Sequence, residues 1–527
     1  MHVTPITLEV FNNKFASVAE EMGMTLCRTA YSPNIKERRD YSCAVFDAAG
    51  DMVAQAAHIP VHLGSMPLSV KAAMAETTFA PGDMVMLNDP FRGGTHLPDI
   101  TLVAPVFAGG DKPLFFVANR AHHADVGGMA AGSMPLSTSI FQEGLIIPPV
   151  KIVVGGRIVP DVMRLFLANV RTPVEREGDF AAQIMANTVG AARLDALVAV
   201  HGPSMVGRCA AALMDYAERL VETVLETVPD GTYAATDYLD DDGCGNSDLA
   251  VRLTLTVAGT RARLDFSDTA PQTAGCVNAV RAIAVSAALY VFRCLAGGRT
   301  PTNAGCLRPI EIVTRPATLV EAVFPAAVAG GNVETSQRLV DVILLALASA
   351  LPERVPAASQ GTMNNIALGG IDPRSGAPFA YYETLAGGAG ASRDGAGQSA
   401  VHSHMTNTQN TPVEALEYAY PLRVTRYGLR PGSGGAGRNR GGDGLVREIE
   451  LLAPAEVTVL SERRTRGAWG LAGGEAGAPG INTMLRGGVE AVLPGKVHVL
   501  LGTGDRLRVA TPGGGGYGAP AAATPGR

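Results

Sequence analysis

Residues 93–128 read GGTHLPDITLVAPVFAGGDKPLFFVANRAHHADVGG. Two apolar runs flank AGGDKP, whose glycines, Asp111 and Pro113 suit a hairpin turn. Facing residues of an antiparallel hairpin have a nearly constant summed number. With the turn centred on Gly110–Asp111, Asp99 falls opposite His122 and His96 falls near Asp125. Directly opposed side chains have Cβ atoms about 4.5–5.5 Å apart. The pattern therefore predicts that His96, Asp99, His122 and His123 gather at one end of the hairpin. Neighbouring His122 and His123 point to opposite faces of a strand, so at most one of them ligates from there.

Imidazole and carboxylate donors without a thiolate suit Zn²⁺, Mn²⁺ or Fe²⁺. A single His–Asp pair is more often a structural hydrogen bond, but two converging pairs favour a metal. Pro98 and the Gly93–Gly94 pair make HLPD a rigid turn and not a helical pair.

Around this hairpin, short strands and glycine turns alternate, as in YSCAVFD and the turn AAGDMVAQAA that follows it. A helix precedes them, with Phe11, Phe15, Val18, Met22 and Leu26 on one face and Thr4 or Thr7 as cap. Residues 1–165 thus read as an α+β metal-site unit. Residues 166–230 read as helical, with Thr172, Pro173 and Glu175 forming a capping-box signature. A central α+β unit, 231–410, holds two apolar helices, AVRAIAVSAALYVFRCLAG and VETSQRLVDVILLALASAL. Residues 411–527 are glycine-rich and β-like. REIELLAPAEVTVLSERR is the clearest strand pair there, and Thr411–Glu414 repeats the capping box. The tail TPGGGGYGAP is expected to be too flexible to pack as a regular element. The fold class expected is α+β, multi-domain, with mixed β-sheets, buried helices and that β-like C-terminal region.

Composition narrows the function. A chain of 527 residues, 47% hydrophobic and 17% charged, is a compact globular protein of several domains. A net charge of −6 and the lack of a basic cluster among aromatics exclude nucleic acid as the expected partner. The seven cysteines form no CxxC pair, which argues against a disulfide framework or thiolate zinc site and for a reducing compartment. The opening MHVTPITLEVFNNKF has no apolar signal-peptide core, and no run reaches the roughly 20 apolar residues of a membrane span. A cytoplasmic protein without a membrane anchor is expected.

Other polar clusters are weaker. KERRDYS sets Glu37 and Asp40 among basic residues, HIPVH spaces His58 and His62 four apart across Pro60, and HSH pairs His402 with His404. GSGGAG at 432–437 matches GxGxxG in letters, but no amphipathic helix follows it. No GxxxxGK[ST] or GxSxG occurs, so the chain shows no ATP motif of its own.

ERRDYSCAVFD, HIPVHLGSMP, LNDPFRGGTHLPDI, RAHHADVGG, EGLIIPPVK, NVRTPVEREGD, HSHMTNTQNTPVEALE, PGSGGAGRNRGGDGLVRE and TPGGGGYG occur in order. Together they resemble the hydantoinase B/oxoprolinase family. The resemblance implies a B-type component of an ATP-dependent N-methylhydantoinase, 5-oxoprolinase or lactamase. It also implies an A-type, actin-like ATPase partner (hydantoinase A) that binds ATP and phosphorylates the cyclic amide, in a hetero-oligomer such as a heterotetramer. A related possibility is the large subunit of an acetone- or acetophenone-type carboxylase; a non-catalytic scaffold is a third. Carried over motif by motif, HLPD gives His96 and Asp99 as metal ligands, AHHAD gives His122, and ERRD gives Glu37 or Asp40. The general base is then an unligated carboxylate, Glu37 or Asp40, or else His123 or Asp125.

Overall fold

The structure, a computed structural model, describes residues 3–56, 59–298 and 300–520. Helix α1 (Pro5–Thr29) begins where Thr4 Oγ accepts the Thr7 N–H at 3.2 Å, and it buries Phe11, Phe15, Val18, Met22 and Leu26 as the periodicity requires. A short turn, α2 (Pro33–Lys36), leads into the first sheet. Its strands are β1 (Tyr41–Asp47), β2 (Met52–Gln55), β3 (Met84–Leu87), β4 (Asp99–Val106), β5 (Phe115–His122), β6 (Val150–Val154) and β7 (Arg157–Ile158). Their order is β2-β1-β5-β4-β3-β6-β7, so the β4–β5 hairpin is the middle of the sheet.

Helix α3 (Met66–Glu76) covers one face of that hairpin, and α4 (Pro160–Leu167) and α5 (Pro173–His201) lie on the other side of it. Period-two alternation decides which side chain meets which. Asn119 Nδ2 donates to Asn187 Oδ1 of α5 at 2.8 Å, whereas the next residue, Arg120, donates to Ser65 and Ser69 of the opposite layer at 2.6 and 2.7 Å. Helix α5 meets α6 (Pro203–Leu225) at Gly202, whose φ of 78° a side chain would strain, and the pair bends by 111°. Among the described residues no single helix is long and apolar enough to cross a membrane.

A second sheet contains β8 (Gly231–Asp241), β9 (Ser247–Ala258), β10 (Arg261–Asp265) and β11 (Ile310–Val313), in the order β11-β10-β9-β8. The buried helices α7 (Arg281–Ala296) and α8 (Ser336–Ala350) are the two apolar helices of the central region. A π-helical turn, Gly331–Thr335, leads into α8. A Cβ at Gly331 would sit 1.8 Å from Asn278 O, so only glycine fits there.

The last third contributes β12 (Asn365–Ile371), β13 (Pro378–Glu383), α9 (Val413–Ala419), β14 (Leu422–Arg430), β15 (Gly444–Leu451), β16 (Ala455–Leu460), β17 (Ile481–Arg486), β18 (Val489–Leu493), β19 (Lys496–Leu501) and β20 (Arg506–Ala510). They form sheets of order β13-β12-β16-β19 and β14-β15-β20-β17-β18, which share a small core of Ile366, Leu368, Leu445, Ile449, Val457 and Leu507. REIELL and AEVTVL are strands as expected, but they do not pair. The turn at 452–454 carries the chain from one sheet to the other.

Two further expectations are corrected. Helices α5 and α9 start where the sequence placed them, yet neither Thr172 nor Thr411 caps its helix. Glu175 faces Arg176 at 3.0 Å and does not reach back. The tail is also ordered, because neighbouring glycine segments take up its backbone groups. The N–H groups of Gly514, Gly515 and Gly516 donate to the carbonyls of Gly442, Ala358 and Glu475 at 3.0, 2.8 and 2.9 Å. Extended glycine chains approach so closely that a Cβ on Gly514 would lie 2.0 Å from Ala389 O. Lack of side chains here permits packing where flexibility was expected.

Candidate metal centre

Asp99, the first residue of β4, pairs directly with His122, the last of β5, which is the register read from the hairpin. Asp99 Oδ1 lies 3.2 Å from His122 Nδ1 and 3.1 Å from His96 Nε2. Its other oxygen, Oδ2, lies 3.1 Å from His62 Nε2 and accepts from Thr95 Oγ at 3.0 Å. All of these side chains are buried. His62 ends a short 3₁₀ turn, Pro60–His62, that α3 follows. Asn332, in the π-helical turn, brings Nδ2 to 3.0 Å from His96 Nε2. The ligand atoms of His96, Asp99 and His122 fall within 4.8 Å of one another.

Hydrogen bonding sets how the rings are presented. His96 Nδ1 faces the Ala329 carbonyl at 3.4 Å and takes the donor role, while Nε2 accepts from Asn332. Nε2 and the Asp99 carboxylate oxygen are then two acceptors 3.1 Å apart. That contact is repulsive unless a proton or cation joins it. His122 Nε2 is buried with no partner among the described residues, as is Asn332 Oδ1. Burial pushes the Asp99 carboxyl up, but His96 and His62 outweigh that effect and hold it well below the usual carboxylate range. Burial pushes the His122 imidazole down, against the opposing pull of Asp99. The result is an ionised carboxylate faced by imidazole nitrogen atoms, one of which, His122 Nε2, is left without a partner among the described residues, a donor set that fits a divalent cation. The cavity between these groups has a volume of about 20 Å³, room for one water-sized occupant.

The remaining expected residues are distributed as follows. Asp40 is buried on the wall of the same cavity, and its backbone carbonyl accepts the His122 N–H at 3.0 Å. Its carboxylate lies 3.8 Å from Arg38 and outside the tight group. Glu37, at the end of α2, is half-buried and does not line the cavity. His123 points to the opposite face of the sheet, as alternation requires. There its Nε2 meets Gln183 Oε1 at 2.9 Å, its ring packs 4.8 Å from that of Phe180, and burial pushes its pKa down to about 4. Asp125 lies on no wall of the cavity, and the Arg171 guanidinium holds it at 2.9 Å in place of the expected His96. Of the weaker histidines, His58 lies outside the described residues, and His404 sits 3.7 Å from Asp341.

Two site residues escaped the sequence reading. His62 had a signal, the HIPVH spacing, but Pro60 argued against a helix; the 3₁₀ turn presents it instead. Asn332 had none, since a π-helical turn leaves no periodicity to read.

The sequence matches the family model described as hydantoinase B/oxoprolinase over residues 4–520. The chain belongs to this family. Among its relatives, this hydantoinase B/oxoprolinase chain is 40% identical to a 5-oxoprolinase of Dictyostelium discoideum, with 98% of the chain matched to 40% of that protein. It is 31% identical to the putative B component of a D-/L-hydantoinase of a Pseudomonas species, over 98% of the chain and 90% of the relative. The chain spans about two fifths of the long curated relatives it matches (41% and 42% in two Schizosaccharomyces pombe proteins). The crystal structure of an ATP-dependent caprolactamase from Pseudomonas jessenii superposes with a TM-score of 0.92 at 31% identity, over 98% of this chain and 92% of that one. A nucleotide-free acetone carboxylase gives 0.91 at 18% identity, over 98% and 76% of the two chains, and shows the shared fold alone.

Proposed function

We propose that this chain is the ring-opening B-type component of an ATP-dependent cyclic amidase. It acts on a hydantoin, 5-oxoproline or another lactam after an A-type, actin-like ATPase partner has phosphorylated the amide oxygen. The observation that carries the reading is the buried Asp99 carboxylate enclosed by His62, His96 and His122. The relatives named as 5-oxoprolinase, hydantoinase and caprolactamase support the substrate class, and the missing nucleotide motif supports a separate ATPase.

Amide resonance makes a lactam a poor electrophile, and phosphorylation of its oxygen removes that protection. His96, Asp99 and His122 would hold a divalent cation, Zn²⁺, Mn²⁺ or Fe²⁺, while Asp40 lines the cavity outside that group. Such a cation, when bound, lowers the pKa of a bound water and polarises the reacting group. The Ala329 carbonyl orients His96, and Arg38 and Tyr382 back the His122 ring: the two aromatic rings stack at 4.5 Å and the guanidinium lies 5.0 Å from the Tyr382 centroid. His62, anchored through Nδ1 to Ser42 Oγ at 2.9 Å, donates through Nε2 to Asp99 Oδ2 at 3.1 Å and fixes that carboxylate, and the Asp40 carboxylate on the cavity wall takes the proton of the attacking water. Water adds to the activated carbon, the ring C–N bond breaks, and the proton returns to nitrogen. A second water then opens the acyl phosphate to carboxylate and phosphate.

The test is ATP-dependent ring opening by the chain combined with its ATPase partner. A His96→Ala, Asp99→Ala double variant is expected to lose about a hundredfold or more of the activity while still assembling. Full turnover by that variant overturns the reading.

A further inference from the structure

His96 lies in the loop before β4, outside any helix or strand, so its ring needs support from elsewhere to face Asp99. One short stretch meets both of its nitrogens: the Ala329 carbonyl lies 3.4 Å from Nδ1, and Asn332 Nδ2 lies 3.0 Å from Nε2. A carbonyl only accepts, so Nδ1 carries the hydrogen and Nε2 is left as the acceptor that a metal requires. Whatever fixes residues 328–332 therefore fixes the tautomer and the aim of His96.

Those residues open the π-helical turn, and the leading N–H groups of a helix have no partner within it. Here they are taken up from outside. Glu143 Oε1 accepts from the N–H groups of Val328 and Ala329 at 2.8 and 3.0 Å, and Gly330 and Gly331 donate to the Cys276 carbonyl at 2.8 and 3.1 Å. The helix dipole also favours a carboxylate at this end. Ser137 Oγ donates to the same Oε1 at 2.6 Å, and Oε2 has no partner among the described residues. One oxygen of a fully buried acid thus holds the backbone that holds His96.

Glu143 begins the EGLIIPPVK stretch, to which the proposed chemistry gives no part. That stretch reaches the His96 loop by a second route. Asn88 Nδ2 donates to the carbonyls of Leu97 and Leu145 at 2.8 and 3.0 Å, and Asn88 Oδ1 accepts the Ile147 N–H at 2.7 Å. The Glu143 backbone is itself fixed against Gly128, whose φ is 84°. A Cβ there would lie 2.6 Å from the Glu143 carbonyl carbon.

We infer that Glu143 is a positioning residue: through the Val328 and Ala329 amides it holds His96 in the Nδ1–H tautomer, with Nε2 facing Asp99. The consequence for metal binding rests on the metal centre proposed above; the tautomer does not. Groups that orient a ligating imidazole through its second nitrogen set how well it binds metal.

The test uses the full chain with isotope-labelled histidine, read by nitrogen NMR without metal at alkaline pH, the His96 signals being assigned by their loss in His96→Gln. A single Nδ1–H form is expected in the native chain. Glu143→Ala is expected to give a mixture of the two tautomers and to weaken Zn²⁺ and Mn²⁺ binding by about tenfold or more. Glu143→Gln keeps an acceptor oxygen and is expected to restore both the single form and the native affinity. Leu445→Ala, in the C-terminal core, is expected to lower stability and leave both readouts unchanged. If Glu143→Ala does not fold, Glu143→Asp, one methylene shorter, is read in its place with the same outcome expected. A single Nδ1–H form in that variant overturns the inference, and so does a mixture in Glu143→Gln or in the native chain. If the native chain binds neither metal, the proposed metal centre fails, and the tautomer still decides the role of Glu143.

Discussion

Asp99 and His122 face each other across the β4–β5 hairpin, with Oδ1 3.2 Å from Nδ1 and both groups buried. The neighbouring His123, one residue on, belongs to the other layer. His122→Gln is therefore expected to weaken divalent metal affinity by about 10–100-fold or more. His123→Gln is expected to leave metal affinity unchanged and to lower stability. Isothermal titration of the apoprotein with Zn²⁺ and Mn²⁺ checks both.

Arg120 is fully buried and, among the described residues, has no acidic partner within salt-bridge distance. It donates to Thr101, Ser65 and Ser69 at 2.9, 2.6 and 2.7 Å, and Ser65 Oγ in turn donates to the His62 carbonyl at 3.3 Å. Arg120→Leu takes the guanidinium from those hydroxyls and loosens the turn that presents His62. A loss of about 2–4 kcal/mol in urea unfolding is expected.

Much of this was legible in the sequence, and what was not has physical reasons. The hairpin register followed from turn chemistry and summed numbering, so Asp99 opposite His122 needed no tertiary information. The α1 stripe and the strand YSCAVFD were equally local. His62 and Asn332 reach the same cavity from a 3₁₀ turn and a π-helical turn, and neither has a period. Glu37 and Asp40 lay in one charged run, and only the end of α2 separates a half-buried carboxylate away from the cavity from one on its wall. The glycine tail misled because composition records the freedom of an isolated chain, while its backbone groups here are taken up by other glycine segments.

That packing makes the tail sensitive to single methyl groups. Gly514→Ala would place a Cβ 2.0 Å from Ala389 O and 2.3 Å from its carbonyl carbon, so backbone must move. A loss above about 3 kcal/mol is expected, against under about 1 kcal/mol for Gly502→Ala, whose nearest contact is 3.6 Å away. Thermal unfolding of the two variants distinguishes them.

Burial and the neighbouring Glu462 push the Glu334 carboxyl up to about 7, and burial does the same to Glu143. The native chain keeps protons that the unfolded chain gives up from about pH 4.5 upward. Stability contributed by these groups therefore falls as pH rises from about 4.5 to about 7, and levels off above. Glu334→Gln is expected to flatten part of that slope and Glu143→Gln the rest, read from urea unfolding at a series of pH values.

The most direct measurement is the metal content of the purified chain before and after Asp99→Asn. This change keeps the shape of the side chain and removes the charge that three histidines surround. The expected result is stoichiometric Zn, Mn or Fe in the native chain and essentially none in the variant, both folded by circular dichroism. Equal metal in the two, or none in either after incubation with each ion, would contradict the account.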